Sequence, residues 1–215
     1  MPELHVVAGP NGVGKSSSFD ELVPAGIDYI NADRIAKDIK AKAGGLNTQD
    51  IANHEAAQIF YQRVKEQKSF AIETNLVDVE TYKSFQGIQA LGYKVFIYFL
   101  AVEDVQVCID RVKRRVSQGG HNVNPDVVKE RYAKGLALLK HYKSFPDTLM
   151  LIDNLEGVFR KQAVLHKGVT LFKSAEIQPW AKVVIEEGPS VNKAIDNSSI
   201  GEIREMYKRG NKSSS

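Results

Sequence analysis

The sequence predicts an α/β protein: a mainly parallel sheet with helices on both faces, and an antiparallel hairpin near the end. Short apolar runs with strand character alternate with segments of helical period along most of the chain. Those runs are apolar on both of their faces, as in a parallel sheet covered by helices on each side. A third observation fixes the start. Leu4-His5-Val6-Val7-Ala8 runs straight into Gly9-Pro10-Asn11-Gly12-Val13-Gly14-Lys15-Ser16, a glycine-rich turn between a strand and a helix.

Each element follows from its own residues. The first helix is expected over 15–23, stopped by Pro24, and a short strand over 27–31 leads to Ala32-Asp33. A helical pattern covers about 33–43 and ends at Gly44-Gly45, and Thr48 reads as the N-cap of a helix over about 49–68. The apolar run 69–74 is a strand carrying Glu73 and Thr74 at its far end, and a helix over 79–91 stops at Gly92. The strongest strand is 94–102, nearly continuous in apolar and aromatic residues. In 105–117, Val105, Cys108, Ile109, Val112 and Val116 recur at helical spacing, and Gly119-Gly120 ends the helix. Asn124 caps the next helix, with Pro125 first and Val128, Tyr132, Leu136, Leu139 and Tyr142 on its apolar face. The run 148–153 is another core strand, ending in Asp153. Segments 158–165 and 169–172 flank Lys167-Gly168 as a hairpin, and Pro179-Trp180 and Val183-Val184-Ile185 add apolar surface.

Composition agrees with one domain over 1–187, leaving 188–215 as a polar, partly disordered appendage. Of the 215 residues, 43% are hydrophobic, enough for a sizeable core. A net charge of +3 is too small to argue for nucleic acid, which is not expected as a partner. The single cysteine, Cys108, excludes an internal disulfide framework and fits a reducing compartment. No run reaches the roughly 18–20 apolar residues of a membrane span, and no signal-peptide pattern opens the chain, so a cytoplasmic location is expected.

The glycine-rich turn has the G-x-x-x-x-G-K-S spacing of a phosphate-binding loop. Gly9, Gly12 and Gly14 let backbone N–H groups curl around an anion, assisted by the positive end of the following helix. Lys15 would set an ammonium against β- and γ-phosphates, and the Ser16 hydroxyl would hold Mg²⁺. The expected nucleotide-binding set is Gly9, Pro10, Asn11, Gly12, Val13, Gly14, Lys15, Ser16 and Ser17. Since ligands of parallel sheets lie at the carboxyl ends of the strands, Asp33, Glu73 and Asp153 are the carboxylates that can face this loop. Glu73 is the candidate for Mg²⁺, through its water, or for an acceptor hydroxyl, and Thr74 for donating to an acceptor; Asp153 competes for the metal.

The loop, Asn31-Ala32-Asp33, Phe70-Ala71-Ile72-Glu73-Thr74 and a segment running from Arg111 through Gly119-Gly120-His121 to Arg131-Tyr132 together resemble the zeta-toxin family, over roughly residues 3–155. That resemblance implies a three-layer P-loop kinase-like fold and an enzyme that uses ATP and Mg²⁺ to phosphorylate a hydroxyl of a UDP-N-acetyl sugar or similar metabolite. It implies Asp33 as the catalytic base; a helix cap is the plainer role for an aspartate there. Asn31 is expected as a turn residue. Arg111, Arg114, Arg115 and Arg131 are the lid candidates, with Arg115 and Arg131 expected to close on the γ-phosphate and Arg114 to be solvated. His121 would contact phosphate or acceptor, or fill a loop. An antitoxin protein is a possible partner. A nucleoside, nucleotide or dinucleotide kinase and a non-catalytic ATP-binding regulator remain alternatives.

Overall fold

In the computed structural model, which describes residues 1–32, 34–36, 38 and 48–186 (the side chains of 48 and 49 excepted), seven strands form a single sheet. They are β1 Glu3–Ala8, β2 Asp28–Ile30, β3 Phe70–Thr74, β4 Lys94–Ala101, β5 Thr148–Asp153, β6 Arg160–His166 and β7 Val169–Lys173. Their order is β2-β3-β1-β4-β5-β6-β7. The first five are mutually parallel, and β6 and β7 add on in antiparallel fashion.

Alternation along the strands divides the core in two. On one face Leu4, Val6, Phe70, Ile97, Phe99 and Leu149 pack against helices α2 (Thr48–Lys65), α3 (Val79–Ala90), α5 (Pro125–Tyr142) and α6 (Pro179–Ile185). On the other, Val7, Ala71, Tyr98, Leu100 and Ile152 pack against α1 (Lys15–Leu22) and α4 (Val105–Ser117). Three layers result, as expected. Complete burial of Leu4, Phe70, Phe99 and Leu149 stabilises the fold by about 1.5–3 kcal/mol each. Among the described residues no helix is long and apolar enough to cross a membrane.

Local chemistry sets the helix ends. Asp104 accepts from the Gln106 amide and Asn124 from the Asp126 amide, so α4 and α5 start where side-chain oxygens meet orphan N–H groups. Gly119, at φ 84°, closes α4: the Gly120 N–H reaches back to the Arg115 carbonyl at 2.9 Å. Helix α2 ends earlier than its apolar period suggests. Gln67 takes the left-handed conformation (φ 54°) and the Lys68 N–H bonds the Arg63 carbonyl at 3.0 Å, a glycine-type stop made without glycine. Thr48 is already helical rather than a residue outside the helix.

Two expectations change near the end of the described chain. The first hairpin strand begins at Arg160, after a short 3₁₀ turn at Leu155–Gly157. The apolar surface expected at Pro179-Trp180 and Val183-Val184-Ile185 is carried by a helix, α6. Trp180 is 3% exposed, its backbone N–H donates to the Glu103 carboxylate at 2.9 Å, and Lys143 caps three carbonyls, Val184, Ile185 and Glu186, at the helix end. Of the helix expected over 33–43, residues 34–36 and 38 are helical, as is residue 32 just before it. Asp33, the rest of that stretch and the appendage 188–215 lie outside the described residues.

Candidate active site

The glycine loop leaves β1 under close steric control. Gly9 passes the Leu100 carbonyl so closely that a Cβ would sit 2.2 Å from it, and a Cβ on Gly12 would lie 2.3 Å from the Cys108 carbonyl. The backbone curls with φ of 80° at Gly12 and 96° at Gly14, the residue that opens α1. Val13 is fully buried against the α1–α4 core and anchors the loop. From behind, the Asn154 amide donates to the Val13 carbonyl at 2.6 Å, and Arg111 donates to the Asn154 carbonyl at 2.9 Å. Gly14, at the start of α1, makes no side-chain cap bond among the described residues, which suits a helix end whose first N–H groups face a phosphate.

Lys15 is only 7% exposed. Its ammonium donates to the Gly9 carbonyl (2.8 Å), the Pro10 carbonyl (3.1 Å) and Asn75 Oδ1 (3.0 Å). Ser17 and Ser18 turn their hydroxyls to the carbonyls of Gly14 and Lys15, which tightens the first turn of α1. Ser16 does something else: its hydroxyl donates to Glu73 Oε2 at 2.8 Å.

Strand register explains how Glu73 arrives. β3 lies beside β1 with Val7 opposite Glu73 and Ala8 opposite Thr74, so the end of β3 meets the start of the loop. β2 lies beside β3, with Tyr29 opposite Ala71 and Ile30 opposite Ile72, and this delivers Tyr29 and Asn31 to the same carboxylate. Tyr29 Oη donates to Glu73 Oε2 at 2.6 Å and Asn31 Nδ2 at 3.0 Å, while Glu73 Oε1 lies 4.0 Å from the Lys15 ammonium. Thr74 Oγ1 accepts the Leu76 N–H at 3.0 Å, bracing a buried leucine held at φ 56°. Asp153, by contrast, is buried at the end of β5, separated from β3 by β1 and β4, and accepts from the Leu155 N–H at 3.3 Å. Glu73 is the carboxylate at the Ser16 hydroxyl.

The arginines separate in the same way. Arg131 of α5 donates to Asn11 Oδ1 at 2.8 Å and so stands over the tip of the loop. Its neighbour Tyr132 ties α5 to the end of β4, donating to the Val102 carbonyl at 2.7 Å. Arg115 instead turns back to its own helix end and donates to the His121 carbonyl at 2.8 Å, and His121 is exposed. Arg111 braces the loop from behind, and Arg114 is exposed, as expected. Asn31 corrects the expectation at the β2 exit. It is the helix cap, accepting the Arg34 N–H at 3.0 Å, as well as a site residue.

These contacts fit a nucleotide and a hard divalent cation. The Ser16 proton points to Glu73, which leaves its oxygen lone pairs for a cation. Among the described residues no group of three or more His, Cys, Asp or Glu gathers, so a cation here would be shared with phosphate oxygens, as Mg²⁺ commonly is. Burial pushes the Cys108 thiol up to about 11, which makes it a packing residue and not a nucleophile. Residue patterns missed Tyr29, Asn75 and Asn154. For the two asparagines the signal was their place one residue past a core strand; Tyr29, inside β2, carried none.

Sheet order, glycine loop and helix α1 make a three-layer α/β fold of the P-loop kinase-like type, and solved structures share it. AvrRxo1-ORF1:AvrRxo1-ORF2, solved with sulphate ions, matches with a TM-score of 0.64 at 15% identity, covering 95% of this chain and 71% of that one. A structure from the PezAT chromosomal toxin-antitoxin system of Streptococcus pneumoniae matches with a TM-score of 0.52 at 14% identity, covering 96% and 87%. At such identities the likeness is one of fold. No family model matches the chain. An uncharacterized protein of Haemophilus influenzae is 30% identical over 124 residues, 58% of this chain and 88% of that protein, and the chain belongs to the same family.

Proposed function

We propose that this protein is an ATP- and Mg²⁺-dependent phosphotransferase acting on a hydroxyl of a small molecule, with a UDP-N-acetyl sugar or similar metabolite as the acceptor class. The observation that carries this reading is Glu73, set by register against both Ser16 and Lys15 of the glycine loop. Bound MgATP would supply the phosphoryl group and neutralise charge on its oxygens. Lys15 and the N–H groups of α1 would hold the phosphates, Ser16 and Glu73 would hold the cation, and Arg131 would offset charge as the phosphoryl group moves. Asp33, two residues beyond Asn31, is proposed to take the acceptor's proton. Thr74 is proposed on the acceptor side. Arg115 and His121 would need to leave their shared contact to take part.

The acceptor class comes from the family resemblance in the sequence. A partner protein, such as an antitoxin, is proposed on similar grounds, since one matched structure is described as AvrRxo1-ORF1 with AvrRxo1-ORF2 and the other as coming from a toxin-antitoxin system. The test is to incubate the protein with ATP, Mg²⁺ and a panel of UDP-sugars, nucleosides, nucleotides and dinucleotides, with products identified by mass spectrometry. A phosphorylated UDP-sugar formed by the wild-type chain and not by Lys15→Ala is the expected outcome. A nucleoside or dinucleotide product would keep the kinase and replace the acceptor. ATP binding without any product would favour a regulatory role, and indifference to Lys15→Ala would remove the nucleotide reading altogether.

A further inference from the structure

Glu73 is held by more than the glycine loop. Its Oε2 receives three donors, Ser16 at 2.8 Å, Tyr29 at 2.6 Å and Asn31 at 3.0 Å, and two of the three come from β2 and its exit. Asn31 Nδ2 also donates to Tyr29 Oη at 2.6 Å, while the Tyr29 proton goes on to Glu73. A primary amide has two N–H groups, so the two Asn31 bonds coexist. The Tyr29 ring is fixed as well. It stacks on Phe19 of α1 with centroids 3.8 Å apart and planes at 21°. A tyrosine on a three-residue strand is thereby bound on its ring face to the helix that follows the glycine loop, and at its tip to the carboxylate facing that loop.

We propose that Tyr29 is a positioning residue for Glu73, setting which oxygen of that carboxylate is available to a nucleotide-bound cation. The proposal rests on the phosphotransferase reading given above. With Oε2 committed to three donors, the carboxylate cannot rotate freely, and Oε1 stays on the side of the Lys15 ammonium. The same arrangement fixes the Ser16 hydroxyl, with its proton toward Oε2 and its lone pairs turned away. Without the Tyr29 hydroxyl, Oε2 would keep two donors and the Asn31 amide would lose one acceptor. Lys15, the loop backbone and the Arg131–Asn11 contact would be untouched. The effect belongs to cation-dependent nucleotide binding and not to nucleotide binding as such.

Tyr29→Phe isolates this, because it keeps the ring and its stack on Phe19 and removes only the hydroxyl. Binding of a non-hydrolysable ATP analogue is measured by calorimetry with and without Mn²⁺, and bound Mn²⁺ is followed by electron paramagnetic resonance. The metal-free affinity is expected to stay as in the wild type, while the gain in affinity that Mn²⁺ confers falls about 10-fold, the scale of one hydrogen bond to a charged group. Glu73→Gln should lose the same gain, and Tyr29→Phe/Glu73→Gln should be no worse than Glu73→Gln alone, because the hydroxyl acts through the carboxylate. An unchanged Mn²⁺ gain in Tyr29→Phe, additive losses in the double variant, or equal losses with and without metal would each overturn the proposal. Failure of the underlying reading looks different: wild-type and Lys15→Ala chains would bind the analogue alike, and the proposal would fall with it.

Discussion

At the scale of single residues, the arginines give the sharpest expectations. Arg131 stands on Asn11 at the tip of the loop, and Arg115 is bonded to the His121 carbonyl at its own helix end. Arg131→Ala is therefore expected to lower transfer by about 10²-fold or more while ground-state ATP affinity changes little, because charge at that place is needed most as the phosphoryl group moves. Arg115→Ala should stay near wild type in the same kinetic assay. Equal losses in both would mean that α4 closes on the loop during turnover. Asp33→Asn is expected to keep ATP binding and to slow transfer by roughly 10²–10⁴-fold, the usual range for lost general-base help. Wild-type transfer in that variant would remove Asp33 from the mechanism; Asn31 already caps the helix there.

At the scale of elements, the loop keeps its shape because three neighbours leave no room for another. Gly12 abuts the Cys108 carbonyl on α4, Gly9 the Leu100 carbonyl on β4, and Gly14 the Asn154 amide beyond β5. Gly12 and Gly26 make a controlled comparison, since they share nearly the same φ, 80° and 83°, but nothing lies within 4 Å of a Cβ on Gly26. Gly26→Ala should cost about 1–2 kcal/mol, the penalty of a left-handed alanine. Gly12→Ala should cost more and also lose nucleotide binding, because α4 or the loop must shift. Denaturant unfolding and calorimetry measure the two effects, and equal stabilities would show that the loop yields without cost.

For the whole molecule, one buried histidine ties stability to pH from within the sheet. His5 of β1 is 2% exposed and stacks on Phe96 of β4, with Nδ1 3.1 Å from Tyr98 Oη and Nε2 3.1 Å from Glu3 Oε2. The carboxylate only accepts, so Nε2 carries the proton and Nδ1 accepts from the tyrosine. Burial lowers the His5 pKa below its ordinary 6.5, outweighing the raising effect of Glu3. As pH falls below that value the unfolded chain takes up a proton more readily than the folded one. The stability contributed by neutral His5 is thus full above about pH 6.5 and is lost on acidification through the lower, folded pKa. His5→Gln should be less stable than wild type at neutral pH but should show a flatter loss between about pH 7 and pH 5 in urea unfolding. Parallel pH profiles would assign the acid sensitivity to other groups.

The sequence by itself determined whatever is written in local chemistry. The alternation of strands and helices, the Asn124 cap before Pro125, the Gly119-Gly120 stop and the glycine loop depend on neighbours a few residues apart and stand where their residues predict, whereas the end of α2 and the start of β6 shifted by two or three residues. Helix α6 escaped because a seven-residue helix has too little period to show; its stability comes from Trp180 in the core and Lys143 on its last carbonyls. Tertiary structure alone decided between look-alikes. Glu73 and Asp153 both end apolar strands, but β3 neighbours β1 and β5 does not, so only Glu73 reaches Ser16. Arg115 and Arg131 carry the same charge, yet only α5, held at the end of β4 by Tyr132, brings its arginine over Asn11. Asn75 and Asn154 stand one residue past core strands, a weak signal, and Tyr29 has none; the two asparagines meet Lys15 and Val13 from residue separations as large as 141. Strand order and helix placement come from burying two core faces at once, and that packing is a property of the whole chain rather than of any stretch of it.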